Sequence, residues 1–165
     1  MAIDFSQVKT ITIPEGSVKK ITDSTGNILW KEKSAGWHTV WEGNKKIGYR
    51  GSTGDKILLA TEPYSDALKI RVSFSDLVAY STGGDDQSVS YIPSNRKSPV
   101  TYESFNSGWT NLVEAYVRNP NRNAHYSAHL YYNKTNGEIF GDVDDYYGDS
   151  YCRAYIVITK IEVYS

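Results

Sequence analysis

Apolar and polar positions alternate with period two through most of the chain after residue 36. In Leu68-Lys69-Ile70-Arg71-Val72-Ser73-Phe74, Leu68, Ile70, Val72 and Phe74 share one face and Lys69, Arg71 and Ser73 the other. This is the pattern of a half-buried strand. Further strands are expected over 37–41, 56–60, 88–92, 111–118, 124–132, 138–140 and 151–164. In the 124–132 segment the alternation sends His125, Ser127, His129 and Tyr131 toward solvent or a groove, with Tyr126, Ala128, Leu130 and Tyr132 opposite. The closing segment is apolar on both faces over 152–158, with Cys152, Ala154, Ile156 and Ile158 in one phase; Ile161 and Val163 then take over in the other. That shift predicts a central strand with a bulge near Thr159 or Lys160. Asn136-Gly137 between two strand patterns marks a hairpin. Helical periodicity is confined to a weak stretch at Ser75–Ala79, too short to build a layer. The fold class that follows is all-β: an antiparallel β-sandwich, jelly-roll-like, preceded by a small β-hairpin unit.

That unit reads as strand, turn, strand, turn, strand over Val8–Ile13, Val18–Thr22 and Ile28–Trp30, with Pro14-Glu15-Gly16 and Asp23–Asn27 supplying the reversals. Three short strands bury little, so Val8, Ile11, Ile13, Ile21, Leu29 and Trp30 are expected to pack against a partner. Small and polar residues at 34–36 mark a linker. The domain reading is therefore residues 1–33 as an attachment or oligomer-contact unit, 34–36 as linker and 37–165 as the sandwich.

Composition narrows the function classes. The 18 Lys+Arg against 19 Asp+Glu leave a net charge of −1, with the basic residues dispersed, which argues against a nucleic-acid partner. No apolar run approaches the length of a membrane helix, so no membrane association is expected. The lone Cys152 sits in the apolar strand pattern and reads as a buried structural thiol. The 14 Tyr, 4 Trp and 4 Phe give an aromatic share of 13%, which argues against long disorder.

Catalytic signatures are missing: no Gly-x-Ser-x-Gly, no phosphate-binding Gly-x-x-x-x-Gly-Lys, no His-Glu-x-x-His. No enzymatic activity and no cofactor are expected. His125 and His129 would chelate on a helix, but on a strand their Cα atoms stand about 13 Å apart, so no metal is assigned to them. Four carboxylates over 142–149 suit a hard cation such as Ca²⁺ only if the loop folds for it; a solvated acidic loop is the expectation. Trp109, Tyr146, Tyr147 and Tyr151 are the candidate ligand-binding residues, because flat aromatic faces stack on sugars or protein surfaces at low entropic cost. Trp37 and Trp41 share a strand face by parity and are assigned to the core or to an interface between copies.

Two segments carry a resemblance. The run from Thr10 to Trp30, with Ile13-Pro14-Glu15-Gly16, Val18, Ile21, Asp23-Ser24 and Leu29-Trp30, resembles the N-terminal segment of small virion and tail proteins of bacteriophages and prophages of Gram-positive hosts. Trp37-His38-Thr39-Val40-Trp41-Glu42-Gly43 is similar to the opening of the β-rich domain of such proteins, and Ile158–Tyr164 to its closing strand. The resemblance implies a virion structural protein of a tail or surface appendage, assembled in the host cytoplasm. It further implies contacts with other virion proteins and with itself as a homo-oligomer, a trimer among the options, and attachment to bacterial-surface glycan by the distal sandwich. A passive capsid or tail decoration protein and a free carbohydrate-binding module are the alternatives.

Overall fold

The structure, a computed structural model, describes residues 20–22, 28–31, 35–49, 57–60, 67–82, 87–146 and 151–165. The chain divides into two compact units, Met1–Ala35 and Gly36–Ser165. In the first, β1 (Lys20–Thr22) and β2 (Ile28–Lys31) pair antiparallel, with Ile21 opposite Trp30. The strand expected over Val8–Ile13 and both reversals lie outside the described residues.

The second unit is an antiparallel two-sheet sandwich. It comprises β3 (Trp37–Gly48), β4 (Ile57–Leu58), β5 (Lys69–Ser81), β6 (Ser88–Ile92), β7 (Val100–Tyr102), β8 (Trp109–Asn119), β9 (Ala124–Asn133), β10 (Glu138–Tyr146) and β11 (Cys152–Tyr164). One sheet has the order β4-β10-β9-β8-β6 and the other β3-β11-β5-β7. Most connections cross from sheet to sheet, as in a jelly roll; only β8, β9 and β10 run as a meander within one sheet. The meander closes with the Asn136-Gly137 reversal, where Gly137 takes φ +73° and its N–H donates to the Asn133 carbonyl at 2.7 Å.

Alternation explains the core. Tyr126, Ala128, Leu130 and Tyr132 of β9 are fully buried and face Cys152, Ala154, Ile156 and Ile158 of β11, equally buried. The phase change in β11 is a register shift between Ile158 and Lys160, and Ile161 and Val163 continue the core beyond it. Cys152 is sealed inside, its Sγ 3.6 Å from the Ala124 carbonyl, and burial pushes the thiol pKa up.

Three expectations need correction. Leu68 does not join Ile70, Val72 and Phe74 in the core but is 61% exposed, because β5 begins only at Lys69. Ser75–Ala79 is not helical; it continues β5 past a bulge at Ser75, opposite the step from Val157 to Ile158. The polar groups near that bulge are met by the β6–β7 connection: Phe74 N–H donates to Ser98 Oγ at 2.8 Å and Arg96 donates to the Leu77 carbonyl at 2.9 Å. Finally, Trp37 and Trp41 are on opposite faces, since Val40 is an extra residue between Thr39 opposite Glu162 and Trp41 opposite Ile161. Trp41 packs on the core, whereas Trp37 meets Tyr164 edge-on at 5.6 Å on the outside.

Candidate functional site

The five-stranded sheet has an inner face that makes the core and an outer face with a different composition. Strand register places its outward residues in cross-strand rows: Asn111, Tyr131 and Phe140; Glu114, His129 and Asp142; Tyr116, Ser127 and Asp144; Arg118, His125 and Tyr146. The expected outward set of β9 is found there, but as a half-buried surface and not a washed one: Ser127 is 2% exposed.

An aromatic cluster builds one end. Phe140 is buried although it lies on the outer face, because Trp109 covers it edge-on at 5.1 Å and Tyr131 leans on it at 5.6 Å. Trp109 itself remains 58% exposed, so its ring is held by neighbours on one side and open on the other. His129 stacks on Tyr131 with centroids 5.0 Å apart. At the far end Tyr146, 45% exposed, stacks on His125 at 5.4 Å. Trp109 lies opposite Asn133 and Tyr146 opposite His125, so the two aromatics mark the ends of a strip about 26 Å long.

The middle of the strip is polar and depends on a bulge. Asn111 pairs with Tyr131 and Val113 with Leu130, leaving Leu112 as an extra residue in β8. Without it Asn111 and Glu114, three positions apart, would face opposite sides of the sheet. With it both point outward, and Asn111 Nδ2 lies 3.2 Å from Glu114 Oε2 and 3.2 Å from His129 Nδ1. The bulge is anchored across the sandwich, where the Tyr102 hydroxyl of β7 donates to the Leu112 carbonyl. Burial pushes the Tyr102 pKa up to about 12, so it remains a donor at any physiological pH.

Hydrogen bonding assigns the His129 tautomer. An amide Nδ2 only donates, so His129 Nδ1 accepts, and the proton on Nε2 is donated to Ser127 Oγ at 2.7 Å. Desolvation holds the His129 pKa below 6.5, against the pull of Glu114, Asp142 and Asp144, and the ring is neutral at pH 7. Burial, and then the same three carboxylates, raise the pKa of Tyr131. Carboxylates gather here, each with one oxygen engaged in part: Glu114 Oε2 accepts from Asn111 and Asp142 Oδ1 accepts from the Val143 N–H at 2.8 Å, while Asn111 Oδ1 is buried without a donor among the described residues. His125 Nε2 lies 3.3 Å from Asp144 Oδ2.

Of the candidates named from sequence, Trp109 and Tyr146 are brought onto one face. Tyr151 is not; it packs against the core at the start of β11 with the Arg122 guanidinium 5.2 Å from its ring centroid. Tyr147 lies outside the described residues. Asp142 and Asp144, expected in an acidic loop, are instead on β10, which runs to Tyr146. No group of three or more His, Cys, Asp or Glu among the described residues is arranged to hold a metal ion. Asn111 and Glu114 are not among the residues the sequence marks, and Asp142 is marked there only as part of an acidic loop. Their signal was the adjacent apolar pair Leu112-Val113, which breaks the alternation, and the Gly141-Asp142-Val143-Asp144 run, which keeps it.

The outer face of the four-stranded sheet differs in kind. Its cations are already engaged: Arg71 lies 4.0 Å over the Trp37 ring and 3.5 Å from Glu162, Lys160 is 2.9 Å from Glu162, and Lys46 lies 4.1 Å over Tyr155. The strip on the five-stranded sheet is the face with an exposed Trp109 ring and a row of carboxylates. No protein-family profile, curated protein or solved structure matches this chain.

Proposed function

We propose that this chain is a non-enzymatic structural component of a phage particle, of a tail or surface appendage, whose sandwich attaches to bacterial-surface glycan through the outer strip of the five-stranded sheet. The observation that carries the binding half is the strip itself: an exposed Trp109 ring backed by buried Phe140, a partly exposed Tyr146 stacked on His125 at the far end, and a row of polar groups between them. A sugar ring offers one apolar face and a rim of hydroxyls, and the strip matches both. The phage half rests on the likeness of residues 10–30 and 37–43 to virion proteins, and it assigns residues 1–33 to contacts with other virion proteins and other copies. Many copies on one particle make weak single sites sufficient through effective concentration.

The test is binding of labelled full-length protein to a panel of Gram-positive cells and their purified wall polysaccharides. Saturable, strain-selective binding that drops at least about tenfold in Trp109→Ala supports the reading. No binding by the folded oligomer across the panel shifts the assignment to a passive decoration protein. New reducing ends in the bound polysaccharide would overturn the non-enzymatic part.

A further inference from the structure

We infer that the glycan this strip selects is a non-phosphorylated chain containing amino sugars, a deduction that rests on the glycan-binding reading above and specifies its ligand class. The charge of the polar centre carries it. Glu114 on β8, His129 on β9 and Asp142 on β10 stand in one cross-strand row, and Asp144 follows in the next. Two carboxylates therefore flank His129 and a third follows along β10 between the aromatic ends; among the described residues of the strip, Arg118 stands near the Tyr146 end and His125 Nε2 lies 3.3 Å from Asp144 Oδ2, which leaves Glu114 and Asp142 as the carboxylates farthest from a cation. His129 does not offset them, because its Nδ1 is occupied as an acceptor and its Nε2 proton is spent on Ser127.

The Glu114 side chain is only 20% exposed, so its charge is partly desolvated and strongly repels a second anion. Phosphodiester-linked wall polymers would bring their negative charge directly onto this row. A neutral hexose chain would be tolerated, since each hydroxyl donates as well as accepts. An amino sugar does more: its acetamido N–H, or its ammonium when de-acetylated, is an added nitrogen donor toward an acceptor-rich row, and hydrogen bonds to a charged acceptor are the stronger ones. Trp109 at the end of the strip supplies the stacking surface for the ring.

Full-length protein is titrated with four probes: a hexamer of N-acetylglucosamine, its de-N-acetylated counterpart, a glucose hexamer of the same linkage, and poly(glycerol phosphate). Tryptophan fluorescence and calorimetry report binding. Both amino-sugar hexamers are expected to bind about tenfold or more tightly than the glucose hexamer, and poly(glycerol phosphate) not at all. Glu114→Gln and Asp142→Asn, whose fold is checked by circular dichroism and melting, should bring the two classes to within about threefold of each other while stacking on Trp109 persists. Equal affinity for the glucose hexamer, binding of poly(glycerol phosphate), or binding of native wall polysaccharide with neither amino-sugar hexamer recognised would overturn the ligand class and leave the glycan-binding reading standing. Failure of every probe and every wall polysaccharide would overturn both.

Discussion

His129 concentrates the residue-scale physics of this molecule. Its ring stacks on Tyr131, accepts from Asn111 and donates to Ser127, and desolvation lowers its pKa despite three nearby carboxylates. The unfolded chain, with an ordinary histidine pKa near 6.5, therefore takes up a proton more readily than the folded one. By linkage the stability contributed by neutral His129 is fully present above about pH 6.5, is lost progressively as pH falls below that value, and levels off below the lowered folded pKa. Denaturant midpoints measured from pH 8 to pH 5 should fall in the wild type and fall less in His129→Gln. Parallel curves would mean that the imidazole is not desolvated as described. Glu162 acts with the opposite sign of charge: its bond to Lys160 leads the causes that lower its pKa, so its contribution is present above about pH 4.5 and fades in more acidic solution. The difference between wild type and variant separates the two.

At the scale of the element, bulges decide what faces where. Leu112 in β8 and Val40 in β3 each add one residue, and each rearranges which side chains share a face. Tyr102→Phe removes the donor that meets the Leu112 carbonyl inside the sandwich, and it should destabilise the fold by about 1–3 kcal/mol. It should also weaken glycan binding, although Tyr102 lies in the other sheet, because the bulge brings Asn111 beside Glu114 and His129. A loss of stability with binding unchanged at a temperature where both proteins are folded would show that the bulge survives without its anchor. Gly48 ends β3 with φ +88°, and a Cβ there would stand 2.5 Å from the Ala154 carbonyl oxygen and 2.8 Å from Ala128 Cβ. Both atoms belong to the packed sheets, so Gly48→Ala should cost about 2 kcal/mol or more, read as a lowered unfolding midpoint.

The same bulges set the limit of what was legible in advance. Regular alternation is a local property, and it yielded the inward and outward faces of β9, the buried phase of β11 and its shift before Lys160. An unpaired residue is defined by the partner strand, which a single segment does not contain, so Trp37 and Trp41 were placed together and Asn111 and Glu114 were not singled out. Trp109 and Tyr146 were recognisable as aromatic rings able to stack on a ligand, but their membership of one strip follows only from the meander that carries them to opposite ends.

For the whole molecule, the question is how the sandwich relates to the full chain in binding. Gly36–Ser165 is a compact unit with its own two-sheet core, and the backbone closes on itself there, with Gly36 and Ser165 exchanging N–H and carbonyl bonds at 3.3 and 3.4 Å. A fragment of residues 35–165 should therefore unfold in one cooperative transition and bind a glycan hexamer with the affinity of a single site in the full chain. If residues 1–33 gather copies as proposed, the two proteins will differ sharply on a surface. Linked sites gain ~10²–10⁴-fold in avidity without any new contact. The full chain should then stay on polysaccharide-coated beads through washes that remove the fragment, and free hexamer should release the full chain only at much higher concentration. Equal retention of the two would remove the oligomeric role from the N-terminal unit, while a fragment that fails to fold would show that the core needs residues before Ala35.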